Sequence, residues 1–197
     1  ALFGSFQTTA GAFAVAGDVP LPTTLGGLRA TIGGADAQLL FASNGQVNFV
    51  APNLAADGPT PITITNANGM VRTSFVNIVR AAPGLFTYKS TGTGVAAAMV
   101  TSDGVNFQPI FNLDGTERAV SAGANGAPVF LVLFTTGLRN VPAANPNDGN
   151  GVAEAVLVSI KGLATTTMFA GPAPGLVGVD QVNVMIPPQL TEIGRAH

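Results

Sequence analysis

The stretch GQVNFVAP at residues 45–52 returns as DQVNVMIP at residues 180–187. Each copy writes Gln-Val-Asn, three apolar residues and then proline. In an extended strand successive side chains alternate between faces, so Val47 and Phe49 share one side and Gln46 and Asn48 the other. Val182 and Val184, with Gln181 and Asn183, repeat that division. The proline removes a backbone donor and ends the pairing. This assigns the valines to a core and the four amides to backbone groups of the loops beside the strand. An amide row that grips a ligand is the sharper alternative.

Working outward, LRATIGGADAQLLFA at 28–42 aligns without a gap to VLVSIKGLATTTMFA at 156–170, at a constant spacing of 128 residues (Phe41 to Phe169). Ile32 and Ile160, Gly34 and Gly162, Phe41 and Phe169, and Ala42 and Ala170 are identical pairs. Leu2-Phe3 and Leu133-Phe134 extend the correspondence. Apolar phase, turn glycine and terminal phrase all repeat, which predicts two copies of one β-sandwich, each with its own core. The first copy is expected at 1–82 and the second at 127–197, with 83–126 as a connecting segment that adds strands and packs on the second copy.

The rest of the chain agrees with an all-β reading. The 25 Gly and 14 Pro punctuate short apolar segments throughout, and no window of ten or more residues has helical periodicity. PITIT at 61–65 alternates, and NANG at 66–69 supplies turn residues for a hairpin into residues 70–79. VAAAMV at 95–100 reads as a strand, as does APVFLVLF at 127–134, which is expected to be buried on both faces. That apolar run is far shorter than the ~20 residues a membrane-spanning helix needs.

Charged residues are 9% of the chain and the net charge is −2. That is far below the roughly 25% of ordinary soluble domains. It supplies no field for gathering nucleic acid or anionic lipid. So weakly charged a surface also resists self-association poorly. There is no cysteine, hence neither a disulfide nor a thiolate site.

LPTTLGG at 21–27, the two QVN strands, AAPGLF at 81–86, GTGVAAAM at 92–99 and FAGPAPGLVGVDQVNV at 169–184 resemble the Solibacter-type C-terminal domain of large secreted acidobacterial proteins. The resemblance covers nearly the whole chain. It implies immunoglobulin-like sandwiches of the IPT/TIG kind, export from the cell, and no known activity, so no catalytic residue is carried over. Two departures stand out. The chain opens at Ala1-Leu2-Phe3-Gly4 without the family's Pro-Gly lead-in, and it stops at TEIGRAH where members finish with a hairpin. The second sandwich is therefore expected to lack its closing strands as written. Either more chain or a neighbouring subunit would complete it.

A search for chemistry finds little. The single histidine is His197, and a catalytic triad needs a buried, oriented imidazole. Neither a dinucleotide-binding glycine loop nor a phosphate-binding loop is written. The ten Asp and Glu are scattered, and Asp57, Asp103, Asp114 and Asp148 each precede glycine, as turn residues do. NPNDGNGVAE at 145–154 gathers oxygen ligands, with Asp148 and Glu154 as a weak calcium candidate, but it lacks EF-hand spacing and reads as a solvated loop. No cofactor or metal is expected. Trp is absent, Tyr88 stands alone, and the twelve Phe are assigned to the core, which leaves no stacking platform for sugar. The expectation is thus a non-enzymatic, extracellular structural or adhesive protein. It would be the repeating subunit of a surface filament, self-associating by strand exchange. The alternative is a carbohydrate- or surface-binding module of a larger secreted protein, and a hydrolase fragment is the third reading.

Overall fold

The structure is a computed structural model that describes residues 1–9, 11, 13–17, 19–54, 57–123, 127–141, 155–190 and 192–193. No α-helix occurs among the described residues. The fold is all-β, built from several antiparallel sheets in a β-sandwich-type architecture. The chain divides into two compact units, Ala1–Val79 and Arg80–His197.

The first unit holds nine strands. They are β1 (Leu2–Phe3), β2 (Phe13–Val15), β3 (Thr24–Leu25), β4 (Leu28–Ile32), β5 (Ala35–Asp36), β6 (Gln38–Ser43), β7 (Gln46–Val50), β8 (Gly58–Thr65) and β9 (Val71–Ile78). One sheet runs β1-β7-β6-β2, and the other runs β3-β4-β8-β9 with β5 also on β4. Their inner faces meet in one core: Val47, Ala42 and Leu39 from the first sheet, Leu28, Ala30 and Ile64 from the second, and Phe6 from the loop after β1. Alternation along β4 explains the selection, since Leu28, Ala30 and Ile32 are fully buried while Arg29 is exposed. The β8–β9 turn is organised by Asn66. Its buried side-chain oxygen accepts the backbone N–H of Asn68 (3.0 Å) and of Met70 (2.9 Å).

The second unit holds β10 (Gly84–Leu85), β11 (Ala98–Thr101), β12 (Gln108–Pro109), β13 (Val120–Ser121), β14 (Phe130–Thr136), β15 (Ser159–Ile160), β16 (Leu163–Ala164), β17 (Thr166–Pro172), β18 (Asp180–Met185) and β19 (Glu192–Ile193). Its main sheet runs β12-β11-β14-β18-β17, with β10 also on β14. Two two-stranded pieces, β15-β16 and β13-β19, complete the described strands. The strands of the connecting segment 83–126 thus pair with β14 and with β19, both in this second unit. β14 sits between β11 and β18, with Val132 and Leu133 buried and Phe130, Leu131 and Phe134 only half-buried. The apolar run read as buried on both faces is therefore only partly enclosed.

The two units repeat one another bond for bond in their shared part. Phe41 faces Asn48 and Ala42 faces Val47 across β6 and β7; Phe169 faces Asn183 and Ala170 faces Val182 across β17 and β18. Each pair carries a bulge at the same place, between Leu39 and Phe41 and between Thr167 and Phe169. Leu2 pairs with Val47 as Leu133 pairs with Val182. The β4–β5 hairpin places Thr31 opposite Asp36, and the β15–β16 hairpin places Ser159 opposite Ala164. The bond that closes each hairpin is the same, Ala37 N–H to the Ala30 carbonyl and Thr165 N–H to the Val158 carbonyl, both 2.9 Å.

Candidate functional site

The repeat makes the units comparable residue by residue, and the comparison isolates where they differ. In the first unit β4 lies between β5 and β8, and Ile62 and Ile64 of β8 lie opposite Ile32 and Ala30. Leu28 is 0% exposed and Ile32 1%. In the second unit the equivalents Val156, Val158 and Ile160 are only half-buried, packed against one side of a core formed by Val182, Val184, Ala170 and Leu133. No strand occupies the place of β8 beside them among the described residues. The strand-sized difference between the copies lies on the edge of residues 156–160.

Hydrogen-bond phase fixes which backbone groups that edge presents. The Val158 carbonyl accepts from Thr165 within the hairpin. Antiparallel ladders alternate, so the N–H and C=O of Leu157 and Ser159 turn to the opposite edge, which no described strand occupies. On the outer face the first unit carries an ion pair, Arg29 to Asp36 at 2.7 Å. The equivalent positions in the second unit are Leu157 and Ala164, and Leu157 is 94% exposed. The second copy thus exposes a leucine where the first holds a charged, ion-paired side chain.

A second unpaired edge lies on the first unit. β9 is the last strand of its sheet. Asn66 N–H donates to Met70 across the turn, so even-numbered residues of β9 bond to β8. The backbone groups of Val71, Thr73, Phe75 and Asn77 consequently face outward, unpaired among the described residues. Val76 and Ile78 lie on the inner face, half-buried. Nothing in a single-sequence pattern marks this edge, because a strand looks the same whether one neighbour or two flank it. On its outer face Val71 and Phe75 are exposed.

The four amides have a different occupation from the one expected. Gln46 Nε2 donates to Asn48 Oδ1 at 2.7 Å, and Gln181 Nε2 donates to Asn183 Oδ1 at 2.8 Å. Residues two apart share a strand face, and Gln is long enough to bridge the pleat. Among the described residues the amides bond along the strand, and not to loop backbone. Phe41 and Phe169 flank them, both half-buried.

The assignment of phenylalanines to the core is overturned. Only Phe6 is fully buried, while Phe3, Phe13, Phe75, Phe86 and Phe107 are exposed. The reason is strand position: Phe3 and Phe13 sit on short edge strands, on the outer face of a sheet. Register lines up Phe3, Gln46, Ser43 and Phe13 across that sheet, with Asn48, Phe41 and Val15 in the next row. Phe13 and Phe41 stack with ring centroids 5.8 Å apart.

Three carboxylates, Asp180, Asp103 and Asp114, accept hydrogen bonds that organise local structure. Asp180, 1% exposed, accepts the Leu138 N–H at 2.9 Å and the Arg139 Nε–H at 2.8 Å. Asp103 closes the β11–β12 loop. Hydrogen bonds from the Asn106 backbone and side chain, the Val105 backbone and the Thr101 hydroxyl hold its carboxyl far below the usual range. Asp114 is lowered by the Thr116 hydroxyl and N–H in the same manner. A shallow cleft of about 370 Å³ opens beside Thr101, Asn106, Gln108 and Arg118, and no carboxylate lines it among the described residues. Groups of three or more metal-ligating side chains do not occur among the described residues. Asp148, Glu154 and His197 lie outside the described residues. Comparison of the chain with protein-family models, with curated proteins and with solved structures found no match.

Proposed function

We propose that this chain is a non-enzymatic structural or adhesive protein that works outside the cell as the repeating subunit of a filament. In this reading it consists of two tandem immunoglobulin-like sandwiches, the second completed by a strand from a neighbouring subunit. The observation that carries the reading is the contrast within the repeat: one hairpin face is closed by β8, and its copy at 156–160 is half-exposed, with no strand on its outer ladder edge among the described residues. Free edges with apolar faces are templates for strand addition. The low charge supports close packing of copies, and the resemblance to secreted acidobacterial domains supports export. Sedimentation velocity and electron microscopy of the purified chain over a hundredfold concentration range test it. Polymers that lengthen with concentration are expected, and a monomer throughout would overturn the reading.

A second reading, a carbohydrate- or surface-binding module, is favoured by one observation: the outer sheet face that sets Phe3 and Phe13 on either side of Gln46. Aromatic faces flanking amide donors and acceptors suit a sugar ring. Binding to an insoluble polysaccharide that is abolished by Phe3→Ala with Phe13→Ala would support it. Equal retention of the double variant would remove it.

A further inference from the structure

We infer that the strand filling the 156–160 edge is β9 of a second copy, in one specific register. The inference rests on the self-assembling reading above and names the partner of that site. Three observations select β9. First, the repeat states what the edge needs: an antiparallel strand with two apolar residues, two positions apart, entering the core as Ile62 and Ile64 do against Ile32 and Ala30. Second, β9 offers an eight-residue strand with an outward ladder edge that requires no unfolding to present.

Third, ladder phase and side-chain phase agree in only one way. The outward backbone groups of β9 belong to odd-numbered residues, and those of the acceptor to Leu157 and Ser159. A continuous sheet then turns the even-numbered side chains of β9 toward the core. Among these Val76 and Ile78 are the one apolar pair, since Arg72 and Ser74 fill the other positions. Antiparallel pairing therefore sets Asn77 opposite Ser159, Val76 opposite Ile160, Ile78 opposite Val158 and Val79 opposite Leu157. Val76 and Ile78 take the places of Ile62 and Ile64, and polar Asn77 takes that of Thr63. Leu157 and Val79, both exposed in the single chain, cover each other. Because donor and acceptor are different surfaces, the contact is heterologous and does not close on itself unless its rotation does, which gives a filament.

The test mixes two one-sided variants of the full chain. Asn77→Pro removes an outward N–H from the donor edge, and Ser159→Pro removes one from the acceptor edge. Prolines at these exposed edge positions are compatible with a strand margin but not with a paired ladder. Leu157→Lys is a second acceptor variant on a side chain that touches solvent in the single chain. Circular dichroism verifies that each is folded. Each variant alone is expected to be monomeric at concentrations at least about tenfold above those that polymerise the parent chain, and an equimolar mixture of Asn77→Pro with either acceptor variant to form a dimer and stop. If the parent polymerises and Asn77→Pro polymerises equally well, β9 is not the occupant, although self-assembly stands. If the parent remains a monomer at every concentration, the self-assembly reading itself fails.

Discussion

Gly137 shows how much of this fold is decided one residue at a time. Its φ is +82°, and a Cβ there would strike the carbonyl oxygen of Ala82. Gly137→Ala should cost about 3 kcal/mol or more, read from urea unfolding, since backbone must move on one side or the other. Asp180 is the polar counterpart. Asp180→Ala leaves the buried Leu138 N–H without its acceptor and the partly exposed Arg139 without its ion partner, and a loss of ~1.5–3 kcal/mol is expected. Asp103 makes a pH prediction. Its folded pKa lies below the unfolded value, so its contribution is complete above about pH 4 and drains away as pH falls from there. Carboxyl NMR should show Asp103 ionised below the pH at which an ordinary aspartate has protonated; an ordinary midpoint would contradict the loop geometry. Asp103-Gly104 and Asp114-Gly115 were legible as turns because each aspartate bonds its own neighbours, whereas Asp57-Gly58 leads into β8. The Gly137 contact was not, because its partner lies 55 positions away (Ala82 to Gly137) and no local rule names it.

At the scale of elements, the repeated hairpin provides an internal control. Ile32 and Ile160 are the same residue at the same position of the repeat, one fully buried and the other half-buried. Ile32→Ala should cost ~2–5 kcal/mol, as core truncations do, and Ile160→Ala clearly less in the monomer. Equal costs would mean that the second hairpin is as enclosed as the first. The turns differ in a second respect. Gly33 has φ +59°, whereas its counterpart Lys161 holds φ +49°. Lys161→Gly relieves a left-handed strain of about 1 kcal/mol and should leave thermal stability unchanged or slightly raised. The hairpins were readable because gapless alignment preserves both apolar phase and turn position. The bulges beside Leu40 and Met168 were not readable, since a bulge is a property of two paired strands and one strand alone carries no register. The phenylalanines misled for a related reason: period-two patterning says which residues share a face, and not which face another sheet covers.

For the whole molecule, two all-β units built on one plan carry unequal complements of strands among the described residues. The first copy uses its β8–β9 hairpin to cover β4; the second uses β10 to β12 to widen its main sheet beside β14 and leaves the hairpin at 156–160 uncovered among the described residues. Duplication was visible in the two QVN phrases. The outward edge of β9 was not visible, since it emerges only once hydrogen-bond phase is known. Residue-resolved amide hydrogen exchange tests the asymmetry most directly. In dilute monomer, Arg29 and Thr31 should be protected by β8 while Leu157 and Ser159 exchange freely, and assembly should protect all four. Strong protection of Leu157 and Ser159 in the dilute monomer would show that the chain closes this edge by itself, and would contradict the account.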